Sequence, residues 1–171
     1  MKAPNHTRSH FMSMTSVAIL AGTAVGFAPS AAADNKRLND SVVANIYTVQ
    51  HQAGCPNDVT INLQLQLAAE WHAWDVLHNR NLDGDIGSDG ATPQDRATAA
   101  GFRGEVAETV AINPALAISG IELINQWYYN RPYLAIKRDC ANNLMGVWSE
   151  SSLDRTVVVA LYGQPADGAL R

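Results

Sequence analysis

Three residues of one predicted helix have side chains suited to acid–base chemistry. They are His72, Asp75 and His78, and the three-residue spacing of the first two places them on one helix face. An imidazole beside a carboxylate can take up and release a proton near neutral pH. The alternative, which we favour, is that His72 fixes helix packing through a hydrogen bond, with His51 and His78 at the surface.

An acidic, glycine-rich loop follows that helix. Asp83, Asp85 and Asp89 are hard oxygen donors of the kind that bind calcium. The loop departs from an EF-hand, because Gly87 stands where the fifth position needs a ligand and Gln94 replaces the glutamate of the twelfth. We favour Asx turns, in which aspartate side chains accept from local backbone N–H groups, and keep weak calcium binding as the alternative.

Composition and motifs argue against several other functions. The 171 residues suffice for one domain with a sizeable core, and a net charge of −4 gives no basic surface for nucleic acid or anionic membranes. Two cysteines are too few for a four-thiolate zinc site. Serines occur at 149, 151 and 152, but the chain contains no Gly-x-Ser-x-Gly motif, so serine hydrolysis has no support.

The first 33 residues are typical of a secretory signal peptide. Lys2 and Arg8 precede a short apolar run over 17–27, and three alanines at 31–33 provide a cleavage site. The run is shorter than the ~20 residues that span a bilayer, so we expect cleavage and no transmembrane segment in the mature protein. The single mature domain, 34–171, then has ten basic and sixteen acidic residues, a net charge of −6.

Both cysteines lie in the exported part of the chain. Disulfides persist in oxidising compartments, and two cysteines allow one intramolecular pairing. We therefore expect a disulfide between Cys55 and Cys140, with two buried thiols as the alternative.

Apolar spacing predicts three helices in the first part of the domain. The first covers about 34–52, the second about 62–78, and a short third has Thr92 as N-cap, Pro93 at its first position and Gly101 as its stop. The apolar face of the first helix is formed by Leu38, Val42, Ile46 and Val49.

The second part alternates strands and one helix. Strands are predicted over 102–112, 144–149 and 156–162, the last two around a turn at 151–155. A helix should open at 113–114. Its apolar side would comprise Leu116, Ile121, Ile124, Trp127 and Tyr128. Along the chain the helices come first and the antiparallel sheet is completed near the end, an order that indicates the α+β class.

A series of short motifs runs along the domain: Leu65-x-x-Ala68-Ala69-x-x-His72-Ala73-x-Asp75, Asp89-Gly90, Arg96, Ala100-Gly101-Phe102, Ala107-Glu108-Thr109-Val110-Ala111, Trp127 and Gly146-Val147. In order and spacing, the series resembles the bacterial CAP superfamily (SCP-like), which includes cysteine-rich secretory proteins, antigen 5 and pathogenesis-related 1 proteins. The resemblance covers about 38–163 and implies an α-β-α sandwich with a central antiparallel sheet. It also places His72 inside a helix signature, which favours a packing role.

The resemblance implies a cleft whose metal-binding set is incomplete here. Glu108 corresponds to the acid of the family's Gly-Glu-Asn motif, whereas the first cleft histidine, due near 82–84, is missing. The second histidine falls on Tyr133 and the second acid near Asn130. Zinc prefers imidazole, so we expect no metal and no cofactor, with Glu108 as a structural acid bonded to backbone N–H groups or hydroxyls.

These residues lead to a hypothesis of binding without catalysis. Glu108, Trp127, Asn130 and Tyr133 are the candidates for the ligand cleft, where tyrosine in place of histidine favours an apolar ligand. We expect a secreted protein that binds a hydrophobic small molecule, such as a sterol or lipid, or a protein partner. The alternatives are a secreted metal-dependent hydrolase with Glu108 as its base and a structural envelope component.

Overall fold

A computed structural model describes residues 31–114 and 116–166. The elements found there are α1 (Ala31–Ala53), β1 (Thr60–Ile61), α2 (Leu63–His78), α3 (Pro93–Ala99), β2 (Gly104–Asn113), α4 (Gly120–Tyr129), α5 (Arg131–Arg138), β3 (Leu144–Ser152) and β4 (Arg155–Pro165). Within this part of the chain, no helix is both long and apolar enough to cross a bilayer. The predicted leader lies outside the described residues, except for 31–33, which begin α1.

The four strands form one sheet in the order β1-β3-β4-β2. The three long strands pair antiparallel, as predicted, with Glu108 opposite Leu161 and Gly146 opposite the same residue on the other side of β4. The short β1 adds a parallel edge through Thr60 and Leu144, which makes the sheet mixed. The α+β class is confirmed.

Helices cover both faces of the sheet. Along central β4, Val158 faces a core built with α1, α4 and α5, while Val157 faces a second core built with α2 and α3. Both valines are fully buried because successive side chains of a strand point to opposite faces. The result is the α-β-α sandwich that the resemblance implies.

Close approach between α2 and β3 depends on one glycine. A Cβ atom on Gly146 would lie 2.1 Å from the backbone nitrogen of Gln66, a distance that no side chain could accept. The first turn of α2 therefore rests directly on the β3 backbone.

The short helix α3 has the ends that its sequence predicts. Thr92 and Asp95 form a capping box, Pro93 occupies the first helical turn, and Gly101 follows the helix with φ +92°. These local signals fix where α3 begins and ends.

The prediction for α4 was wrong at its start. Strand β2 continues to Asn113, and the helix begins at Gly120 behind a capping box of Ser119 and Glu122. Its predicted apolar side is also wrong in part, because Leu116, Ile121 and Tyr128 are exposed. Trp127 is buried as predicted, and the buried Leu123 was not foreseen. A further helix, α5, was not predicted and follows immediately behind Asn130, which caps it.

A disulfide joins the end of α1 to the segment after α5. Cys55 and Cys140 are bonded across 85 residues, as the cysteine count predicted. The bond lies beside the core that contains α1 and α5.

Candidate functional site

Three elements bring their polar side chains together around Glu108. Strand β2 carries Glu108, whose carboxylate accepts from Arg96 Nη2 of α3 at 3.0 and 3.1 Å. His72 of α2 contributes Nε2 at 3.3 Å from Glu108 Oε1. The exposed fractions are 4% for Glu108, 1% for His72 and 7% for Arg96, so this acid–base cluster is sealed from solvent.

Arg96 also holds the loop that covers the cluster. Its guanidinium donates to the backbone oxygen of Ala91 at 2.8 Å and to that of Asp85 at 2.7 Å. Since Arg96 lies on the capped helix α3, its side chain is fixed at both ends. The guanidinium therefore joins the acidic loop to the sheet through Glu108.

His72 is held by the same loop. Its Nε2 lies 3.0 Å from the Gly84 backbone oxygen, and a carbonyl can only accept, so we assign the ring hydrogen to Nε2. Burial, with the nearby Arg96 charge, lowers the pKa of His72, which favours the neutral ring. The predicted packing hydrogen bond is present, but the contact with Glu108 was not foreseen.

The environment of Glu108 favours its protonated form. Burial raises the pKa of Glu108 to about 8, in spite of the opposing attraction of the Arg96 guanidinium. We predicted backbone N–H groups or hydroxyls as its partners. That was wrong: the structure provides two side chains, a guanidinium and an imidazole.

Hydrogen bonds to α2 and within the loop itself also hold the acidic loop in place. Asp75 accepts from the backbone nitrogen and the hydroxyl of Ser88, each at 2.7 Å. Asp89 accepts from the Ala91 backbone nitrogen at 2.9 Å, an Asx turn of the expected kind. Asp83 and Asp85 are exposed. Weak calcium binding by Asp83, Asp85 and Asp89 stays a prediction.

The other cleft candidates have distinct positions. Trp127 is buried in the core, where its indole N–H donates to the Val110 backbone oxygen at 3.1 Å. Asn130 is exposed and caps α5 by accepting from the Tyr133 backbone nitrogen at 3.2 Å. Tyr133 is half-buried against the core built with α1, α4 and α5.

Tyr133 lies near Glu108 and near two acids of the acidic loop. Burial raises the pKa of Tyr133, and the acids Asp85, Glu108 and Asp83 act in the same direction. A hydrogen bond with the Val110 backbone acts against this rise in the pKa, so Tyr133, like Trp127 and Asn130, has a structural partner.

No protein-family profile matches the chain, and neither does any curated protein. Solved structures do match. An outer surface protein of Borrelia burgdorferi superposes with a TM-score of 0.66 at 17% identity over 77% of this chain. An extracellular protein of Bacillus anthracis that contains an SCP domain gives 0.62 at 11% identity over 76%. A cysteine-rich secretory protein of Staphylococcus aureus gives 0.58 at 12% identity over 76%.

The chain has a CAP-like fold. It spans 95% of the Borrelia protein but only 41% of the Bacillus protein and 39% of the Staphylococcus protein. At these identities the likeness establishes the fold, and function has to be argued from the site.

The metal that the CAP family implies does not fit the residues present. Both carboxylate oxygens of Glu108 are taken by the Arg96 guanidinium, so a divalent cation there would lie against a positive charge. Within 31–114 and 116–166, no three His, Cys, Asp or Glu side chains are grouped to hold a metal ion. Neither a phenol nor an amide supplies the imidazole donors that zinc prefers.

The partners of Glu108 were not predicted from the sequence. Arg96 entered only as part of a family motif, and His72 only as a packing residue. The available signal was the capped helix at Thr92 and Pro93, which holds Arg96 four residues after the cap, but its orientation toward β2 is set by tertiary packing.

Proposed function

We propose that this chain is a secreted CAP-fold protein that binds a hydrophobic small molecule, a sterol or lipid, without catalysing a reaction. The observation that carries the proposal is the sealing of Glu108 between Arg96 and His72. The resemblance aligns Glu108 with the family's cleft acid, and here Glu108 is out of reach of solvent and of a substrate.

A hydrolase reading requires Glu108 to act as a general base. A base needs a deprotonated carboxylate within hydrogen-bond reach of a substrate or its attacking water. Glu108 has a raised pKa, both oxygens are occupied, and the loop held by Arg96 covers it. These features argue against acid–base catalysis by this residue.

Tyr133 supports an apolar ligand. Its half-buried ring packs on apolar side chains, and burial together with the acids Asp85, Glu108 and Asp83 raises its pKa. The resemblance aligns this position with the family's second cleft histidine. A phenol offers apolar area and one hydrogen-bonding group, a combination common in sites for amphipathic molecules.

Secretion is supported by three independent features. The predicted signal peptide precedes the domain, the Cys55–Cys140 disulfide suits an oxidising compartment, and the similar solved structures are described as extracellular, secretory or outer surface proteins.

A protein partner is the second candidate, and the outer side of α4 favours it. Ile121 is 73% exposed and Tyr129 is 79% exposed, with Tyr128 also at the surface. Large apolar side chains grouped at a surface are typical of interaction sites. A structural envelope component would use the same surface.

Two variants at one position test the ligand hypothesis. Tyr133→Ala and Tyr133→His would be purified from the secreting host, and the co-purified lipid in organic extracts would be measured by mass spectrometry. We expect lipid in the wild-type protein and a several-fold loss in both variants. Tyr47→Ala, an exposed tyrosine of α1, is the matched control and should retain wild-type lipid.

The outcomes separate the candidates. If the wild type and the folded Tyr133 variants hold equal amounts of lipid, Tyr133 has a packing role only and does not bind the ligand. Absence of lipid from the wild type, with a protein captured at one copy per chain, would favour the partner hypothesis.

A further inference from the structure

The outer face of α2 carries a stripe of large apolar side chains. Leu63, Leu67, Trp71 and Trp74 follow one another at spacings of four, four and three residues, which places them on one side of the helix. All four are exposed, with exposed fractions between 38% and 75%. The other side of α2 packs on β3, β4 and α3. The outer stripe therefore faces away from the described part of the fold.

The outer stripe has the length and shape of a helix-binding surface. Leu63 and Trp74 are eleven positions apart, which corresponds to about 17 Å, or three helical turns. Grouped apolar side chains at a surface are typical of interaction sites, and indoles contribute large contact areas. The Trp74 ring also stacks on His78 at 4.1 Å, which supports it from the side. A straight stripe of this kind matches the apolar face of an amphipathic helix.

One acidic side chain lies within the outer stripe. Glu70 comes three residues after Leu67 and four before Trp74, so it emerges on the same side of α2. It is partly exposed, and within 31–114 and 116–166 it has neither a hydrogen bond nor an ion pair. Covering an unpaired carboxylate is costly unless the covering molecule supplies a donor or a positive charge. A molecule that covers the stripe therefore needs a cation opposite Glu70.

The tryptophan end of the outer stripe is also acidic. Trp71 and Trp74 border a cavity of about 330 Å³ that Asp75 and Asp89 help to line. Arg96 lines the same cavity, but it is only 7% exposed and its guanidinium donates to partners within the fold. The helix α2 itself contains no lysine or arginine. A partner that approaches this face therefore meets a negative border.

These charges distinguish between the possible occupants of the stripe. A second copy of the chain would bring a second set of the same acids, and each mature domain has a net charge of −6. A neutral bilayer would cover Glu70 without supplying a counter-charge, and an anionic bilayer would repel it. A cationic amphipathic helix meets neither objection, because its basic side chains can pair with the acids while its apolar face covers the stripe.

We propose that the outer face of α2 binds a cationic amphipathic helix of a partner protein or peptide, which packs its apolar residues on the stripe and places a lysine or arginine at Glu70. The proposal rests on the apolar stripe and its acidic border. It is independent of the proposed lipid function, because Tyr133 packs with the core on the other face of the sheet.

Calorimetric titration of the whole mature protein with two designed peptides tests the proposal. Both have 16 residues, the length of α2, with leucine at every third or fourth position. The remaining positions are lysine in one peptide and glutamate in the other. We expect saturable, one-to-one binding of the leucine–lysine peptide with a Kd of about 100 μM or tighter, and roughly tenfold weaker binding of the leucine–glutamate peptide. Raising the salt concentration should weaken binding of the leucine–lysine peptide.

Two variants test the apolar and the charged part of the surface separately. Trp74→Ala removes an exposed indole and should weaken binding of the leucine–lysine peptide roughly tenfold. Glu70→Gln removes the charge within the stripe and should weaken it about threefold. Tyr129→Ala on α4 and Glu105→Gln on β2 are the matched controls, because both change exposed residues outside the stripe and should leave binding unchanged. Circular dichroism checks that all four variants fold.

Several results would overturn the proposal. They include no binding of the leucine–lysine peptide up to about 1 mM, equal binding of the two peptides, and undiminished binding by folded Trp74→Ala. Sedimentation would reveal a wild-type dimer that Trp74→Ala dissociates, which would assign the stripe to a second copy. Binding of the wild type, but not of Trp74→Ala, to phosphatidylcholine vesicles would assign the stripe to a bilayer. Either assignment would replace the cationic helix.

Discussion

Glu108 and Arg96 are twelve residues apart and meet in the interior through two contacts of 3.0 and 3.1 Å. One side chain comes from a strand and the other from a short helix, so the pair fastens α3 and its preceding loop to the sheet. The pairing makes the Glu108 carboxyl group an internal support of the fold.

Replacing Glu108 by glutamine is expected to remove a pH dependence of stability. Burial raises the pKa of Glu108 from 4.5 to about 8, so the folded protein holds a proton that the unfolded chain has released. The stabilisation from this group is fully present below about pH 4.5 and is lost as the pH rises through about 8. Its slope inside that window is at most about 1.4 kcal/mol per pH unit.

Urea denaturation of both proteins at about pH 5 and about pH 8 measures the effect. Between about pH 5 and about pH 8, the wild type should lose unfolding free energy relative to Glu108→Gln. Taking this difference cancels the titration of the other groups. An unchanged difference between the two pH values would mean that Arg96 keeps the carboxylate ionised throughout this range.

Lys137→Met is expected to stabilise the protein. Lys137 is fully buried, its Nζ has no hydrogen-bond partner among the described residues, and its charge lies 5.8 Å from the centre of the Trp127 ring. Replacement of such a charge by an apolar side chain of similar volume should raise the unfolding free energy by roughly 1–3 kcal/mol near pH 7.

The advantage of Lys137→Met should shrink at alkaline pH. Burial lowers the pKa of Lys137 to about 8, so the folded wild type releases a proton that the unfolded chain keeps up to about pH 10.5. The wild type therefore gains stability as the pH rises through that window. Lys36→Met, at an exposed lysine, is the control and should change little at either pH. Destabilisation by Lys137→Met at both pH values would show that the amine has a required partner.

Loss of the disulfide should lower stability substantially. The bond closes a loop of 85 residues, and the paired change of Cys55 and Cys140 to serine should cost about 4 kcal/mol in the chain-entropy estimate. Denaturation of both forms under non-reducing conditions gives the value. Two titratable thiols in the denatured native protein would contradict the bond.

Local signals in the sequence predicted local structure well. Thr92, Pro93 and Gly101 marked α3 correctly because capping and backbone conformation depend on neighbouring residues. The strand prediction around 156–162 was also correct, since a central strand buried on both faces appears as a continuous apolar run.

The predicted start of α4 was wrong because a local signal was outweighed by strand pairing. Pro114 suggested a helix start, but pairing with β4 extends β2 to Asn113, and Ser119 with Glu122 supplies the actual capping box. Tertiary pairing overrode a weaker local signal.

The site required contacts that no local pattern encodes. His72 and Glu108 are 36 residues apart and touch because α2 packs on the sheet beside β2 and β4. The burial of Lys137 was equally invisible, because lysine in a helix of alternating polar and apolar residues is expected at the surface.

The central claim is that this CAP-fold protein binds an organic ligand and carries no catalytic metal. Native mass spectrometry of the protein, taken from the secretions of its host and purified without chelator, tests it most directly. We predict a chain that starts at Asp34, contains one disulfide, carries an apolar organic adduct and holds no divalent metal. If the protein instead holds one divalent metal per chain, and Glu108→Gln abolishes this binding, the proposal is contradicted and the metal-dependent hydrolase is favoured.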